Sequence, residues 1–302
     1  MIDKEALAGG RELLQQPLLP LVAMVRFLYL TGDFAAPAEV IEQLPPDIET
    51  NDAHYVDATG DLLPHTALFA PLIDARSGRP PAARIVDTDG QPVDAVTAAA
   101  ALVDQQVLSR ELERINSLLC APCACTLCCV GPDEAMHQAY FEIPLAGVEP
   151  DRFVVERIDT QAARAHRADD EAPLLVDGRP FYERQAPVLV RWQQGWSLIL
   201  PRASRCPNLA ADGRCRIYPI RPEVCRRPQI FPYVLEPFAD QAGPGFRLRR
   251  SLLAVLDCPY VRLLQDQRLS KEAVKHMRLF VSGSAPLLAG TRREWRERTG
   301  HA

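Results

Sequence analysis

The sequence predicts an α+β fold: a small mixed domain of short strands, a β-hairpin and flanking helices, organised around a cysteine-ligated metal site. Three observations predict it. All nine cysteines fall in two groups, Cys120, Cys123, Cys125, Cys128 and Cys129 first, then Cys206, Cys215, Cys225 and Cys258, and the 119 residues before them hold none. Helical spacing of apolar residues is confined to a few stretches, while apolar residues alternate between 188 and 200. The 27 prolines favour short elements and long connections over a helical bundle.

Composition narrows the class further. At 302 residues, 47% apolar and 24% charged, the chain can build one large core or two modest ones. A net charge of −5 gives no footprint for nucleic acid. Lysine occurs only at Lys4, Lys271 and Lys275, so arginine carries the positive charge, as a GC-rich coding sequence produces. The opening Met-Ile-Asp-Lys-Glu-Ala-Leu lacks the basic start and apolar run of a secretory signal. The most apolar stretch, Leu18 to Leu30, is interrupted by Arg26 and falls short of the roughly 20 residues a membrane span needs. A buried helix in a cytoplasmic protein is the expectation, and there clustered thiols stay reduced and serve metal or redox chemistry. An odd number of cysteines also leaves one outside any complete set of disulfides.

Along the chain, Leu13, Leu14, Leu18, Leu21, Met24, Val25 and Leu28 predict a helix over 11–30. Residues 31–93 are proline-rich and acidic, with a short strand expected at 83–86 and no chemical motif. Asp94 is a candidate N-cap for a long helix through Ala98, Val103, Val107, Leu108, Leu112 and Ile115 to about Leu119. The expected organisation is therefore a region of unassigned role over 1–93, a cysteine-cluster domain over 94–282, and a tail over 283–302. Strands are expected at 140–143 and 153–158, and a polar loop over 161–186. A hairpin follows, with Val188, Val190 and Trp192 going out, a turn at Gln193-Gln194-Gly195, and Trp196, Leu198 and Leu200 returning. A strand over 246–256 ends near Cys258, and a helix capped by Ser270 runs to Val281. The two cysteine groups meet only if the intervening strands fold back.

Thiolates are soft ligands that select zinc, copper(I) and iron–sulfur clusters. A Cys-x2-Cys pair, as at 120/123 and 125/128, lets two sulfurs reach one metal from a tight turn, and a single zinc takes four ligands. Nine thiols exceed that need, so two sites, or one site with spare redox-active thiols, both fit. In the second group Asp212-Gly213 forms a turn that returns Cys206 toward Cys215. Seven arginines between Arg202 and Arg227 face only Asp212 and Glu223. They form a solvated basic face, offset the negative charge of a thiolate cluster, or dock an anionic substrate.

The pattern Gly-x-Cys215-x-Ile-Tyr218-x-x-Arg221-Pro222-x-x-Cys225-Arg226, downstream of Cys125-x2-Cys128-Cys129, resembles the CxxCxxCC cysteine-cluster family of YkgJ-type zinc- or iron-chelating domains. The resemblance covers roughly residues 116–260. The first group departs from the family spacing: Pro122 stands three positions before Cys125, with Cys120 and Cys123 on either side. Flagellin lysine N-methylases look similar over the same cysteines.

Other features carry blander readings. His137 reads as a surface or core histidine rather than a ligand. Tyr218 and Arg221-Pro222 shape the loop between Cys215 and Cys225, and Trp192 and Trp196 pack the hairpin. No phosphate-binding glycine loop, no Ser-His-Asp pattern and no methyl-donor site is legible. All nine cysteines are the candidate metal ligands, with an iron–sulfur cluster favoured over zinc. The expected function is a metal-binding protein with an oxidoreductase role and a protein or redox partner, without nucleic acid or membrane. A structural zinc module and a protein-modifying enzyme are the alternatives.

Overall fold

In the computed structural model, the described residues are 5, 7–50, 53–123, 125–134, 136–168, 170, 172–227, 229–255, 258–266 and 288–290. The first half runs α1 (Ala8–Gln15), α2 (Leu19–Thr31), α3 (Pro37–Gln43), β1 (Ile48–Glu49), β2 (His54–Tyr55), α4 (Ala58–Leu62), a 3-10 turn over Leu63–Phe69, α5 (Ala70–Arg76), β3 (Ile85–Val86) and α6 (Ala95–Cys123). Then come β4 (Tyr140–Leu145), a 3-10 turn over Glu149–Arg152, β5 (Glu156–Ile158), α7 (Gln161–Ala165), β6 (Leu175–Val176), β7 (Arg179–Pro180), β8 (Val188–Trp192) and β9 (Gly195–Pro201). After the second cysteine group lie α8 (Glu223–Arg226), β10 (Ile230–Asp240), β11 (Gly243–Val255), α9 (Pro259–Asp266) and β12 (Leu288–Gly290). Helices combined with several small sheets of mostly short strands make this an α+β protein, as the sequence predicts. The expected helix over 270–281 lies outside the described residues.

The chain divides into two compact units: Cys120–Arg227, and a discontinuous one made of Asp3–Leu119 with Pro228–His301. In the discontinuous unit, α2 to α6 enclose a core of residues such as Leu21, Val25, Ile41, Leu62, Phe69, Leu72, Val103 and Val107. The single helix expected over 11–30 is two. Pro17 separates them because proline has no N–H to give a continuing helix. The backbone groups left at the break are buried and claimed by tertiary partners: the Pro17 carbonyl accepts from the Tyr55 hydroxyl (2.5 Å), and the Leu18 N–H donates to Glu111 Oε1 (3.1 Å). Residues Ala8–Thr31 are long and apolar enough to cross a membrane (24 residues, mean hydropathy 1.4). Yet Leu21, Val22, Val25 and Tyr29 are buried in the core, and Arg26 pairs with Asp104 at 3.2 Å, so α2 is a core helix.

Asp94 caps α6 as predicted: Oδ1 accepts from Val96 N–H (3.0 Å) and Thr97 N–H (2.9 Å), and Oδ2 from the Thr97 hydroxyl (2.6 Å). Those bonds hold the Asp94 carboxyl below its ordinary range. Asp94→Ala is expected to cost about 1 kcal/mol, read as an earlier urea midpoint. Further along α6, the Gln105 carbonyl accepts from the Val234 (3.0 Å) and Leu235 (3.1 Å) N–H groups, where the β10–β11 register shifts. Asn116 accepts from the Tyr260 hydroxyl of α9 at 2.7 Å. The β10–β11 hairpin is flanked by β3 and β12, both parallel to β11.

The Cys120–Arg227 unit is built on a sheet of order β4-β9-β8-β5. The hairpin is as predicted, with Trp192 opposite Gly195 and Gly195 at φ +139°, a conformation glycine adopts without strain. Because Val188 pairs with Ile199 and Leu189 with Leu198, its residues sort onto two faces. Val188, Val190, Trp192 and Ile199 pack one side with Ile158, Ala163, Leu174 and Phe181. Leu189, Leu198 and Leu200 pack the other side with Phe141, Ile143, Leu145 and Phe153. Part of the expected 161–186 loop is ordered as α7, capped by the Thr160 hydroxyl, and as the β6–β7 hairpin.

Candidate metal centre

The second face of this sheet carries the cysteines. Cys206, Ile217, Val224 and Cys225 pack against the Leu189–Leu198–Leu200 core cluster, so two of the thiols sit directly on its surface. Pro201 ends β9, and the chain turns through Ser204 to run beside the first cysteine group. There Gly131 N–H donates to the Ser204 carbonyl (2.8 Å), Val130 bridges Arg205, and Cys206 N–H donates to the Cys129 carbonyl (2.7 Å). The two cysteine groups are thus stitched together through their backbones at Cys129 and Cys206. Gly131 permits the approach, since a Cβ there would lie 1.9 Å from the Pro201 carbonyl oxygen. Sequence reasoning missed Gly131, whose only signal was its place two residues after the vicinal cysteines.

The predicted Asp212-Gly213 turn brings Cys215 back. Gly213 has φ +84°, Asp212 Oδ1 accepts from Arg214 N–H (3.0 Å), and Leu209 bridges Cys215. Arg216 N–H then donates to the Asn208 carbonyl at 2.8 Å. The next loop is anchored by residues outside the motif. Glu149, buried, accepts from Glu223 N–H (2.8 Å), Arg152 donates to the Ile220 carbonyl (2.6 Å), and Asn208 donates to the Arg152 carbonyl (3.0 Å). Glu149 and Arg152 were not among the sequence candidates.

Seven thiols interact electrostatically within this unit. Burial is the first cause that pushes the Cys129 thiol far up, followed by Cys128, Cys206, Cys225 and Cys215. Burial pushes Cys225 up to about 12, with Cys206, Cys128 and Cys215 adding to it and Arg221 opposing. Cys206 is raised by burial and by Cys215, against hydrogen bonds from the backbone at Asn208 and Leu209. Cys120 is raised by burial, by Cys128 and by Cys125, against Arg221. Burial first, and then the repulsion of one thiolate by the next, keep these four thiols neutral at pH 7. A cation held among them removes that repulsion and makes collective ionisation favourable, as metal binding to thiols requires.

The donor chemistry therefore fits zinc or iron, the soft-ligand metals of cysteine sites. Among the described residues no three His, Cys, Asp or Glu side chains stand close enough to hold one ion. The seven sulfurs are near enough to one another to interact electrostatically.

The remaining sequence candidates are placed as follows. None of the nine cysteines forms a disulfide in the structure. Cys123 is the buried last residue of α6. Cys258 belongs to the discontinuous unit, where its carbonyl accepts from Arg262 N–H (3.0 Å) at the start of α9. Cys128 is exposed. His137 is exposed as well. Tyr218 is capped by the Arg221 guanidinium, 3.8 Å from its ring, and Arg221 is buried. Trp192 is buried in the sheet core and Trp196 carries Arg157 and Arg191 over its ring, both packing roles.

No curated protein and no solved structure is detectably similar to this chain. A family model does match, and its span runs from the end of α6 to the end of β10. Eight of the nine cysteines fall within it. Residues 119–242 match the model of the CxxCxxCC family, which is described as a putative zinc- or iron-chelating domain.

Proposed function

We propose that the Cys120–Arg227 unit carries an iron–sulfur cluster and serves electron transfer or substrate activation in a cytoplasmic oxidoreductase. One observation supports this above others: seven thiols from two distant segments adjoin one another, with the buried Arg221 guanidinium beside Cys120 and Cys225. A buried positive charge offsets the negative charge of a thiolate-held cluster and raises its potential. Such a cluster supplies one-electron chemistry when bound. The chain's own contribution is to shield it on the sheet face through Cys206 and Cys225 and to leave Cys128 at the surface for exchange with a partner. A thiolate-held cluster needs its cysteines reduced, as the cytosol keeps them.

A structural zinc module is the second reading. Its support is the packing of Cys206 and Cys225 against the sheet core, where a metal would staple the loops to the fold. The deciding experiment is metal and acid-labile sulfide content, with a visible spectrum, on protein purified without oxygen. Iron with sulfide and a brown colour that bleaches on reduction supports the first reading. Stoichiometric zinc in a colourless protein that unfolds on chelation supports the second.

Under either reading, Cys128→Ser and Cys215→Ser are expected to lose metal and to unfold at lower denaturant. His137→Ala is expected to do neither. Full metal content in both cysteine variants would show that the two groups do not share a centre.

A further inference from the structure

The family pattern places four cysteines at Cys-x2-Cys-x2-Cys-Cys. Counting back from Cys128-Cys129, the second falls on Cys125 and the first falls on Pro122, which has no donor atom. Two cysteines flank that position. Both stand on α6, which continues through Pro122 to Cys123, so they lie three residues apart on neighbouring parts of the helix surface. Spacing alone does not choose between them.

The surroundings of Cys120 do. The Tyr218 hydroxyl hydrogen-bonds to the Cys120 sulfur, and the Arg221 guanidinium does so as well. Cys125 and Cys128 both act on Cys120. The Ala121 backbone N–H also reaches the Tyr218 oxygen, so the last turn of α6 is held at two adjacent residues. The groups that hold it are themselves fixed: Arg221 stacks on Tyr218 at 3.8 Å, and Arg226 donates to the Arg221 carbonyl at 3.2 Å. Arg152 donates to Ile220 between them at 2.6 Å. A donor pair on so constrained a loop orients a sulfur rather than following it.

We propose that Cys120 supplies the ligand that the Pro122 position cannot, and that Tyr218 and Arg221 are positioning residues that aim its sulfur toward Cys125 and Cys128. The inference rests on the metal-binding reading above. It gives the Ile-Tyr-x-x-Arg-Pro segment a role beyond shaping its own loop, because this segment of the second cysteine group orients the leading cysteine of the first.

Metal content and chelator competition on the full-length chain test the assignment, with circular dichroism as the check on folding. Cys120→Ser is expected to lose metal to the same extent as Cys128→Ser, while Cys123→Ser keeps the wild-type content. The reverse pattern, or equal loss in both variants, overturns the assignment. Tyr218→Phe removes one hydroxyl and keeps the ring beneath Arg221. It is expected to keep the metal stoichiometry and to weaken retention against a chelator by about 10-fold, the lower end for loss of a partner that orients a ligand. Unchanged retention overturns the positioning role. A second measurement needs no metal: metal-free protein is treated with dibromobimane, and the bridged thiols are mapped by mass spectrometry. Cys120 joined to Cys125 or Cys128 supports the placement, and Cys123 joined to them in its stead overturns it. If wild-type protein holds no metal yet shows the Cys120 bridge, the metal-binding reading fails and the placement stands.

Discussion

Gly131→Ala is expected to dismantle the thiol centre without touching a single cysteine. An added Cβ would lie 1.9 Å from the Pro201 carbonyl oxygen and 2.9 Å from that of Leu200. Carbon and oxygen ordinarily approach no closer than about 3.3 Å, so the two backbones must part by more than an ångström. The obstructing atoms belong to the end of β9, not to a side chain that could rotate away. Parting breaks the Gly131–Ser204 bond (2.8 Å), the Ala203–Pro132 bond (2.9 Å) and the Cys206–Cys129 bond (2.7 Å), which are what bring Cys129 to Cys206. Overpacking costs roughly 1–3 kcal/mol, and each lost hydrogen bond adds about 1 kcal/mol. A loss of at least about 3 kcal/mol in the domain follows, together with loss of bound metal. Denaturant unfolding and metal analysis of the variant provide the check. Gly9→Ala is the control, since its Cβ meets nothing within 4 Å on the exposed side of α1. Alanine there is expected to stabilise by about 0.5–1 kcal/mol. Wild-type metal content in Gly131→Ala would mean that the close approach is not what joins the two groups.

Why the sequence reveals the cysteines but not Gly131 follows from where each signal lives. Asp94 and the periodic run after it announce α6 because cap and periodicity are local, and the β8–β9 hairpin is likewise written in alternation across a short turn. The split at Pro17 was equally local, yet the continuous apolar spacing around it outweighed one residue. Strand β10 escaped notice because Pro232 and Pro237 argue against a strand. It stands at the edge of its sheet, where a missing N–H is tolerated. A discontinuous unit such as Asp3–Leu119 with Pro228–His301 has no marker in the chain at all, because its halves are joined by tertiary contacts like those of Gln105 with β10. The thiols were legible through residue type and clustering. Glu149, Arg152 and Gly131 act through geometry alone, and the roles of Tyr218 and Arg221 become visible only where the fold places Cys120 beside them.

The second large effect concerns Glu111, on the buried face of α6 and more than two turns of helix before Cys120. Its side chain is 6% exposed, and Oε1 accepts the Leu18 N–H at the start of α2. Burial pushes its carboxyl up to about 8; Asp61 adds to the shift, while the Leu18 bond and Arg114 oppose it. A carboxyl that is harder to ionise in the folded chain makes stability fall as pH rises. Below the unfolded value near 4.5 both states are protonated and nothing is lost. Between there and about 8 the unfolded chain sheds its proton while the folded one keeps it, so stability drops by up to about 1.4 kcal/mol per pH unit. Above 8 the charge is buried and the full penalty remains. Nearby His65 has the opposite sign: burial and then Arg110 and Arg114 lower its value, so its neutral form is favoured and it opposes folding in acid. Glu111→Gln keeps an acceptor for Leu18 and cannot ionise, and it leaves His65 as it was. The variant is therefore expected to match the wild type near pH 4, to exceed it by roughly 3 kcal/mol at pH 7, and by up to about 5 kcal/mol above pH 8. Urea midpoints of both proteins at pH 4.5, 6 and 8 measure that divergence. Parallel curves would show that Glu111 is ionised at neutral pH in the folded chain, and that the α2 terminus is held by a carboxylate rather than a carboxylic acid.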